Sequence, residues 1–307
     1  MPYLSIVVTV DPQRPTLTPA GVRPAWDQLP GAIKVDQSWL AKSEAWSASI
    51  LVDGDEAARQ ALAIVRRELV GASIDFNVVP DGKKRRKMLL VADMESTIIE
   101  QEMLDELADF IGARRRIADI TERAMRGELD FEAALNERVA MLAGLDAAVL
   151  DQVAERITYM PGARELVATM KAHGAYCALV SGGFTVFTAR VAERLGFDEH
   201  QANTLEVVRG KLTGRVIPPI LGREAKLEAL RRIARERGVD MALTMAVGDG
   251  ANDLAMLAEA GLGVAFRAKE KVAGAMREAA NGAVVSNGDL TSLLYLQGYR
   301  QQEFSRP

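Results

Sequence analysis

Asp93 and Glu95 stand at the end of a short apolar run, Met88-Leu89-Leu90-Val91-Ala92, and Ser96 and Thr97 follow at once. Two carboxylates and two hydroxyls directly after a buried strand suit metal-dependent phosphoryl transfer. The first carboxylate attacks phosphorus and the second handles a proton. Two more strand-like runs end in polar motifs: Tyr176 to Val180 leads into Ser181-Gly182-Gly183, and Met245-Ala246-Val247 into Gly248-Asp249-Gly250-Ala251-Asn252-Asp253. Lys226 lies just inside a fourth segment, an expected helix. In an open parallel sheet, ligands bind outside the carboxyl ends of the strands. Motifs placed at three such ends are therefore expected to line one crevice.

Each group has a task there. A phosphate monoester repels an anionic nucleophile, so negative charge must be cancelled first. The oxygen-rich set of Asp93 and Asp249 suits Mg²⁺. Ser181 and the amides around Gly182 and Gly183 can hold phosphoryl oxygens, and Lys226 adds positive charge. Asp93 then forms an aspartyl-phosphate, while Glu95 protonates the leaving alkoxide and later deprotonates the hydrolytic water. Taken singly, Ser-Gly-Gly or Gly-Asp-Gly reads as a turn, and a lysine in an Arg-rich helix as solvated. Their joint order, with three motifs directly after strands, favours chemistry.

The elements that must carry these groups alternate from residue 88 onward. Strand-like runs cover 88–92, 175–180, 242–247, 261–265 and 283–285, and helical spacing covers 163–173, 184–195, 223–237 and 251–258. This predicts an α/β fold, a Rossmann-like parallel sheet with helices on both faces. Residues 205–217 turn at Arg209-Gly210 and predict a hairpin. Residues 100–157 are helical throughout, a cap inserted over the end of the first strand. The first eighty residues differ, with strands over 4–10, 46–52 and 73–79 and a helix over 55–70, a small α+β unit of regulatory or assembly type. The predicted organisation is an N-terminal module over 1–82, a catalytic core over 83–99 and 158–300, and the cap over 100–157. The basic stretch Pro80 to Lys87 reads as a solvated linker and Gln301 to Pro307 as a disordered tail.

The chain has 307 residues, almost half of them hydrophobic, and a formal charge of −4. That balance speaks against a nucleic-acid partner. Cys177 is the only cysteine, so no internal disulfide forms and a reducing cytoplasmic setting is expected. No apolar run reaches the length of a membrane span, and the N-terminus lacks a signal-peptide pattern. A small-molecule substrate is expected, and a homodimer is left open.

At these motifs the chain resembles the haloacid-dehalogenase-like superfamily, and within it the branch that hydrolyses O-phospho-L-serine at the end of serine biosynthesis. Matching positions are Asp93-Met94-Glu95-Ser96-Thr97, Glu102 nine residues after Asp93, Phe131 with Arg138 seven further on, Val180 to Phe184, Lys211 to Gly214, and Val247 to Asp253. The resemblance covers roughly residues 86 to 297 and is looser over 1–80, where the branch often carries an amino-acid-binding type of module. It implies Mg²⁺ held by Asp93, Asp249 and the backbone carbonyl of Glu95, with Asp253 orienting bound water. It also implies that Glu102 meets the substrate ammonium, Arg138 its carboxylate, and Asn252 the phosphate, with Phe131 shielding the site.

Glu95 departs from the pattern, which has aspartate there. The carbonyl role survives the change, but the extra methylene shifts the carboxyl by roughly 1 Å, and misplacement of that size can cost about a hundredfold in rate. Two alternatives stand beside the main reading: a phosphatase for another small monoester, or a catalytically impaired serine or phosphoserine sensor.

Overall fold

The computed structural model describes residues 3–69, 73–125 and 129–305. At its centre is β5 (Leu89–Ala92), whose four residues are all buried. Leu89 and Val91 face one interior and Leu90 and Ala92 the other, as a strand covered on both sides requires. The first interior is closed by α9 (Arg223–Arg237), α10 (Leu254–Glu259) and α11 (Glu270–Glu278) through residues such as Leu230, Leu257 and Val272. The second is closed by α7 (Ala163–Ala172), α8 (Thr185–Leu195) and α12 (Ser292–Leu296) through Leu166, Phe187 and Leu293.

The remaining strands of this sheet are β6 (Tyr176–Phe184), β7 (Glu199–Val208), β8 (Lys211–Ile217), β9 (Thr244–Gly248), β10 (Leu262–Phe266) and β11 (Gly282–Val285). Their order is β11-β10-β9-β5-β6-β7-β8, parallel except for β8. From β5 the chain moves outward through β6 to β8, then returns to the other flank of β5 as β9. The strand order thus reverses at β5, where an open sheet leaves a crevice beyond its carboxyl edge. This bears out the α/β reading, and β7 and β8 form the expected hairpin around Arg209 and Gly210. The sequence underestimated β7, which begins at Glu199 as a parallel neighbour of β6.

Between β5 and α7 the described residues form four helices: α3 (Met103–Phe110), α4 (Arg114–Met125), α5 (Phe131–Ala140) and α6 (Ala148–Ala154). An isolated bridge joins Ile99 and Tyr159 at their base. Their far side rests on the hairpin: Gly144 N–H donates to Leu212 O at 2.8 Å, Ala147 N–H to Gly210 O at 2.8 Å, and Leu212 N–H to Leu145 O at 2.9 Å.

Residues before β5 build a second, antiparallel sheet from β1 (Tyr3–Val10), β2 (Lys34–Ala41), β3 (Ala45–Leu51) and β4 (Ile74–Pro80), in the order β2-β3-β1-β4. Its helices are α1 (Pro19–Gln28) and α2 (Asp55–Glu68). Ile6 and Val8 of β1 pack with Ala25 and Val65 of these helices, whereas Val7 on the opposite face joins the interior that holds Leu293 and Tyr295.

Polar bonds reinforce this junction. The buried Asp75 carboxylate accepts from the backbone N–H groups of Ser286, Asn287 and Gly288 at 2.9–3.0 Å, and from the Asn287 side chain at 2.9 Å. The Asn77 amide pairs with the N–H and C=O of Val284, extending the edge of β11. Glu44, at the β2–β3 turn, accepts from Tyr295 Oη at 2.7 Å. Removing the Asp75 carboxylate orphans several buried donors. Asp75→Ala is therefore expected to cost about 2–4 kcal/mol. A urea midpoint unchanged from the parent would refute that assignment.

Two expectations are corrected. The basic stretch 80–87 is solvated only at Gly82 to Lys84; its later cations are held by the fold. Lys87 is buried, and its Nζ donates to the carbonyls of Lys84 and Ala242 at 2.8 Å. Arg85 reaches Leu296 O, Ser5 Oγ and Ser47 Oγ. Carbonyls left unpaired at turns accept these cations, which composition alone does not disclose. Nor is the C-terminal segment free. Glu303 pairs with Arg86, Phe304 stacks near Tyr295, and Ser305 N–H donates to Thr169 Oγ1. Pro307 and the residue before it lie outside the described residues. No helix among the described residues is long and apolar enough to cross a membrane.

Candidate active site

Asp93 continues directly from β5, its N–H held by Val247 O of β9 at 3.0 Å. It is 6% exposed. Its Oδ1 accepts from the N–H of Met94 at 2.8 Å, and its Oδ2 lies 2.8 Å from Lys226 Nζ. Lys226 projects from the first turn of α9 and also meets Asp253 Oδ1 at 2.6 Å. Asp253 is fixed in turn by the Gly250 N–H, 2.9 Å from its Oδ2. Its carboxyl lies so close to Gly248 that a Cβ on that residue would collide with it, which accounts for the glycine. The same turn delays α10 until Leu254, three residues later than its spacing predicts.

Asp93, Asp249 and Asp253 offer carboxylate oxygens within 4.8 Å of one another. Burial pushes the Asp93 carboxyl upward; Lys226 opposes this, while Asp253 and Asp249 add to it. Asp249 rises to about 6, chiefly through burial and then through Asp253 and Glu102. Burial alone would lower Lys226, but Asp93 and Asp253 together hold it charged and push it up. One ammonium thus faces three acids. Hard oxygen donors carrying surplus negative charge fit a divalent cation.

The Ser181-Gly182-Gly183 motif lies within β6, not after it. The β6–β7 register runs to Val180 opposite Gln201 and resumes at Phe184 opposite Asn203, so the intervening residues form a bulge. Gly183 N–H donates to Ser181 Oγ at 2.9 Å. That amide is occupied, contrary to the expectation of a free donor, and the Ser181 hydroxyl keeps its proton for another acceptor.

Glu95 Oε1 accepts the N–H of Met103 at 2.9 Å, at the start of α3. A Cβ on Gly183 would lie 2.9 Å from Glu95 Oε2, so the longer acid fits because that position is glycine. Burial pushes Glu95 up to about 8; the charge of Glu102 adds to this and the Met103 N–H opposes it. Ser96, in a left-handed conformation at φ 55°, donates to Glu102 Oε1 at 2.8 Å. Arg138 is half-buried on α5, its Nε donating to Ala134 O at 3.1 Å. Burial lowers its pKa, while the facing charges of Glu95, Asp105 and Glu102 oppose that.

The structure therefore gathers Asp93, Asp249, Asp253 and Lys226, and beside them Glu95, Glu102, Gly183 and Arg138. Asn252 is only half-buried, with its Oδ1 turned back toward Gly250. Phe131 opens α5, but its side chain lies outside the described residues. Sequence reading placed Thr97 in the motif without a role of its own and missed Lys269 and Asn203. Thr97 donates to Asp249 Oδ1 at 3.4 Å. Lys269 opposes the rise in Asp249 and donates its N–H to Asp249 O at 3.2 Å. Asn203 ties the Ser181 bulge to Leu221. Lys269 follows a strand end, a signal available in the sequence; Asn203 had none.

This crevice beyond the reversal of a parallel sheet, with an aspartate at its central strand, defines a class. The family model described as haloacid dehalogenase-like hydrolase matches residues 90–258, more than half of the sequence, and the chain belongs to that family. Within it, the chain is 46% identical over 267 residues to the phosphoserine phosphatase of Streptomyces coelicolor, covering 86% of this chain and 63% of that one. It is 48% identical over 219 residues to the phosphoserine phosphatase of Mycobacterium tuberculosis, covering 71% of this chain and 52% of that one. The chain thus spans between half and two thirds of these two relatives. Among solved structures, the probable phosphoserine phosphatase of Vibrio cholerae in unliganded form superposes with a TM-score of 0.75 at 33% identity, covering 98% of this chain and 88% of that one.

Proposed function

We propose that this chain is a Mg²⁺-dependent phosphoserine phosphatase that releases L-serine and phosphate through an aspartyl-phosphate. The carrying observation is the buried Asp93 at the central strand end, paired with Lys226 and clustered with Asp249 and Asp253. The relatives' names support the substrate. In this reading Asp93, Asp249 and the backbone carbonyl of Glu95 hold the metal. When bound, Mg²⁺ would supply the positive charge that lets a carboxylate approach a phosphate. Asp253, already bonded to Lys226 and Gly250, keeps the surrounding geometry.

The chain's own groups then divide the work. Ser181 and Lys226 hold phosphoryl oxygens. A carboxylate oxygen of Asp93 bonds to phosphorus as the bond to the seryl oxygen breaks, and Glu95 gives that oxygen its proton. Water next adds to phosphorus, returning a proton to Glu95, and the bond to Asp93 breaks. Burial, which pushes the Glu95 carboxyl upward, favours the protonated form that a donor needs. Glu102 receives the substrate ammonium, and Arg138 its carboxylate through a guanidinium fork. Asn252 lies near the phosphate in this reading, the resemblance assigns Phe131 to excluding water, and residues 1–82 serve as an assembly or regulatory module.

Phosphate release from phosphoserine, compared with phosphothreonine and a neutral-alcohol phosphate with and without Mg²⁺, tests this reading. The neutral substrate leaves Glu102 and Arg138 unmatched and should have the lowest kcat/KM; equal values across the panel would refute the substrate assignment. Glu95→Asp is expected to raise kcat up to about tenfold by restoring the shorter reach. Glu95→Gln should lose most activity. A Glu95→Asp variant no faster than its parent would show that reach does not limit turnover.

A further inference from the structure

The bulge that carries Ser181 has an unusual support. Between Val180 and Phe184 on β6, the neighbouring strand advances only from Gln201 to Asn203. Gly182 O lies within that gap, and the Asn203 side chain fills the place of the missing ladder partner. Its Nδ2 donates to Gly182 O at 2.8 Å. Its Oδ1 accepts the N–H of Leu221 at 2.7 Å, and Nδ2 also reaches Leu221 O at 3.4 Å. Asn203 is 1% exposed. All its recorded side-chain partners are backbone atoms of these two residues.

Both anchor points matter for the site. Gly182 O and Gly183 N–H belong to one rigid peptide plane. Holding the carbonyl from one side aims the N–H from the other, and that N–H is the donor to Ser181 Oγ at 2.9 Å. Leu221 directly precedes Gly222, the N-terminal cap of α9, whose first turn carries Lys226. One buried amide therefore bridges the support of the Ser181 hydroxyl to the support of the Lys226 ammonium.

We infer that Asn203 is a positioning residue for the phosphate subsite, fixing the separation between Ser181 and Lys226 without touching the substrate. This rests on the phosphatase reading above. Two donors on one tetrahedral anion act together only at matched spacing, and a shift near 1 Å can cost about a hundredfold in rate. Asn203→Asp keeps an acceptor for Leu221 N–H but replaces the donor to Gly182 O with a second acceptor. Asn203→Ala removes both arms.

The test measures inorganic phosphate and L-serine binding by calorimetry on the Mg²⁺-loaded full chain, alongside kcat and KM for phosphoserine. Both variants are expected to bind phosphate about tenfold more weakly, to keep serine affinity within about twofold, and to lower kcat by about 10- to 100-fold. Should Asn203→Ala fail to fold, Asn203→Asp gives the same reading through its remaining arm. Parental phosphate affinity in Asn203→Asp overturns the inference, and so does equal weakening of phosphate and serine, which marks general damage. A parent protein that binds phosphate but does not hydrolyse phosphoserine refutes the proposed function alone. Binding then still decides the role of Asn203.

Discussion

Asp93→Asn is expected to lower kcat for phosphoserine by more than about 10⁴-fold while leaving the fold intact. The substitution is nearly isosteric: the amide oxygen keeps the Met94 N–H, while the amide NH2 takes the place beside Lys226, whose ammonium turns from it to Asp253. The lost capacity is nucleophilic: a neutral amide does not form the acyl-phosphate bond on which the two-step route depends. The variant also removes one of four charges in a tight cluster, so Lys226 keeps Asp253 as its partner. Stability should therefore change much less than rate. Rapid-quench capture of a phosphorylated protein distinguishes this from a direct attack by water. Label trapped on the parent and absent from Asp93→Asn supports Asp93 as the nucleophile. Undiminished phosphate release by Asp93→Asn refutes it.

Lys226→Met is expected to cost stability as well as rate. Its ammonium sits 2.8 Å from Asp93 and 2.6 Å from Asp253, both buried. Removing one member of a buried ion group leaves the others uncompensated, typically at about 3–5 kcal/mol. The pH dependence follows from the direction of the carboxylate shifts. Without Lys226, Asp93 loses its main opposition to burial, so its folded pKa rises further above the unfolded value of about 3.9. A raised acid is least costly below its unfolded pKa and loses stability as pH climbs through the folded one. The deficit of Lys226→Met should therefore be small near pH 4 and largest above neutrality. Added Mg²⁺ should recover part of it. A deficit independent of pH would mean that Lys226 contributes by packing alone.

The sequence made the sheet legible because its strands are buried on both faces and read as continuous apolar runs. Leu89 to Ala92 and Met245 to Val247 are of this kind. It missed α1, where Pro24 interrupts the helical spacing, and β2, an edge strand whose exposed Val35, Asp36 and Gln37 carry no alternation. The acids at strand ends were legible because the crevice rule ties position to chemistry. Asn203 was not. Its role arises from a register break between two strands, which no local pattern announces. The basic stretch 80–87 misled for a related reason: the acceptors that bury Lys87 and Arg85 are carbonyls from Ala242 and Leu296, remote in the chain. Glu95 was legible as a departure, but its bond to Met103 and its dependence on Gly183 needed coordinates.

The opening strand belongs to two interiors at once, Val7 on one side and Ile6 with Val8 on the other. Apolar packing therefore joins the two sheets at that strand. Prying the first eighty residues loose would wet both reservoirs of oily side chains together and break the Asp75 clasp besides. They are held to the parallel sheet by oily packing and by that clasp together.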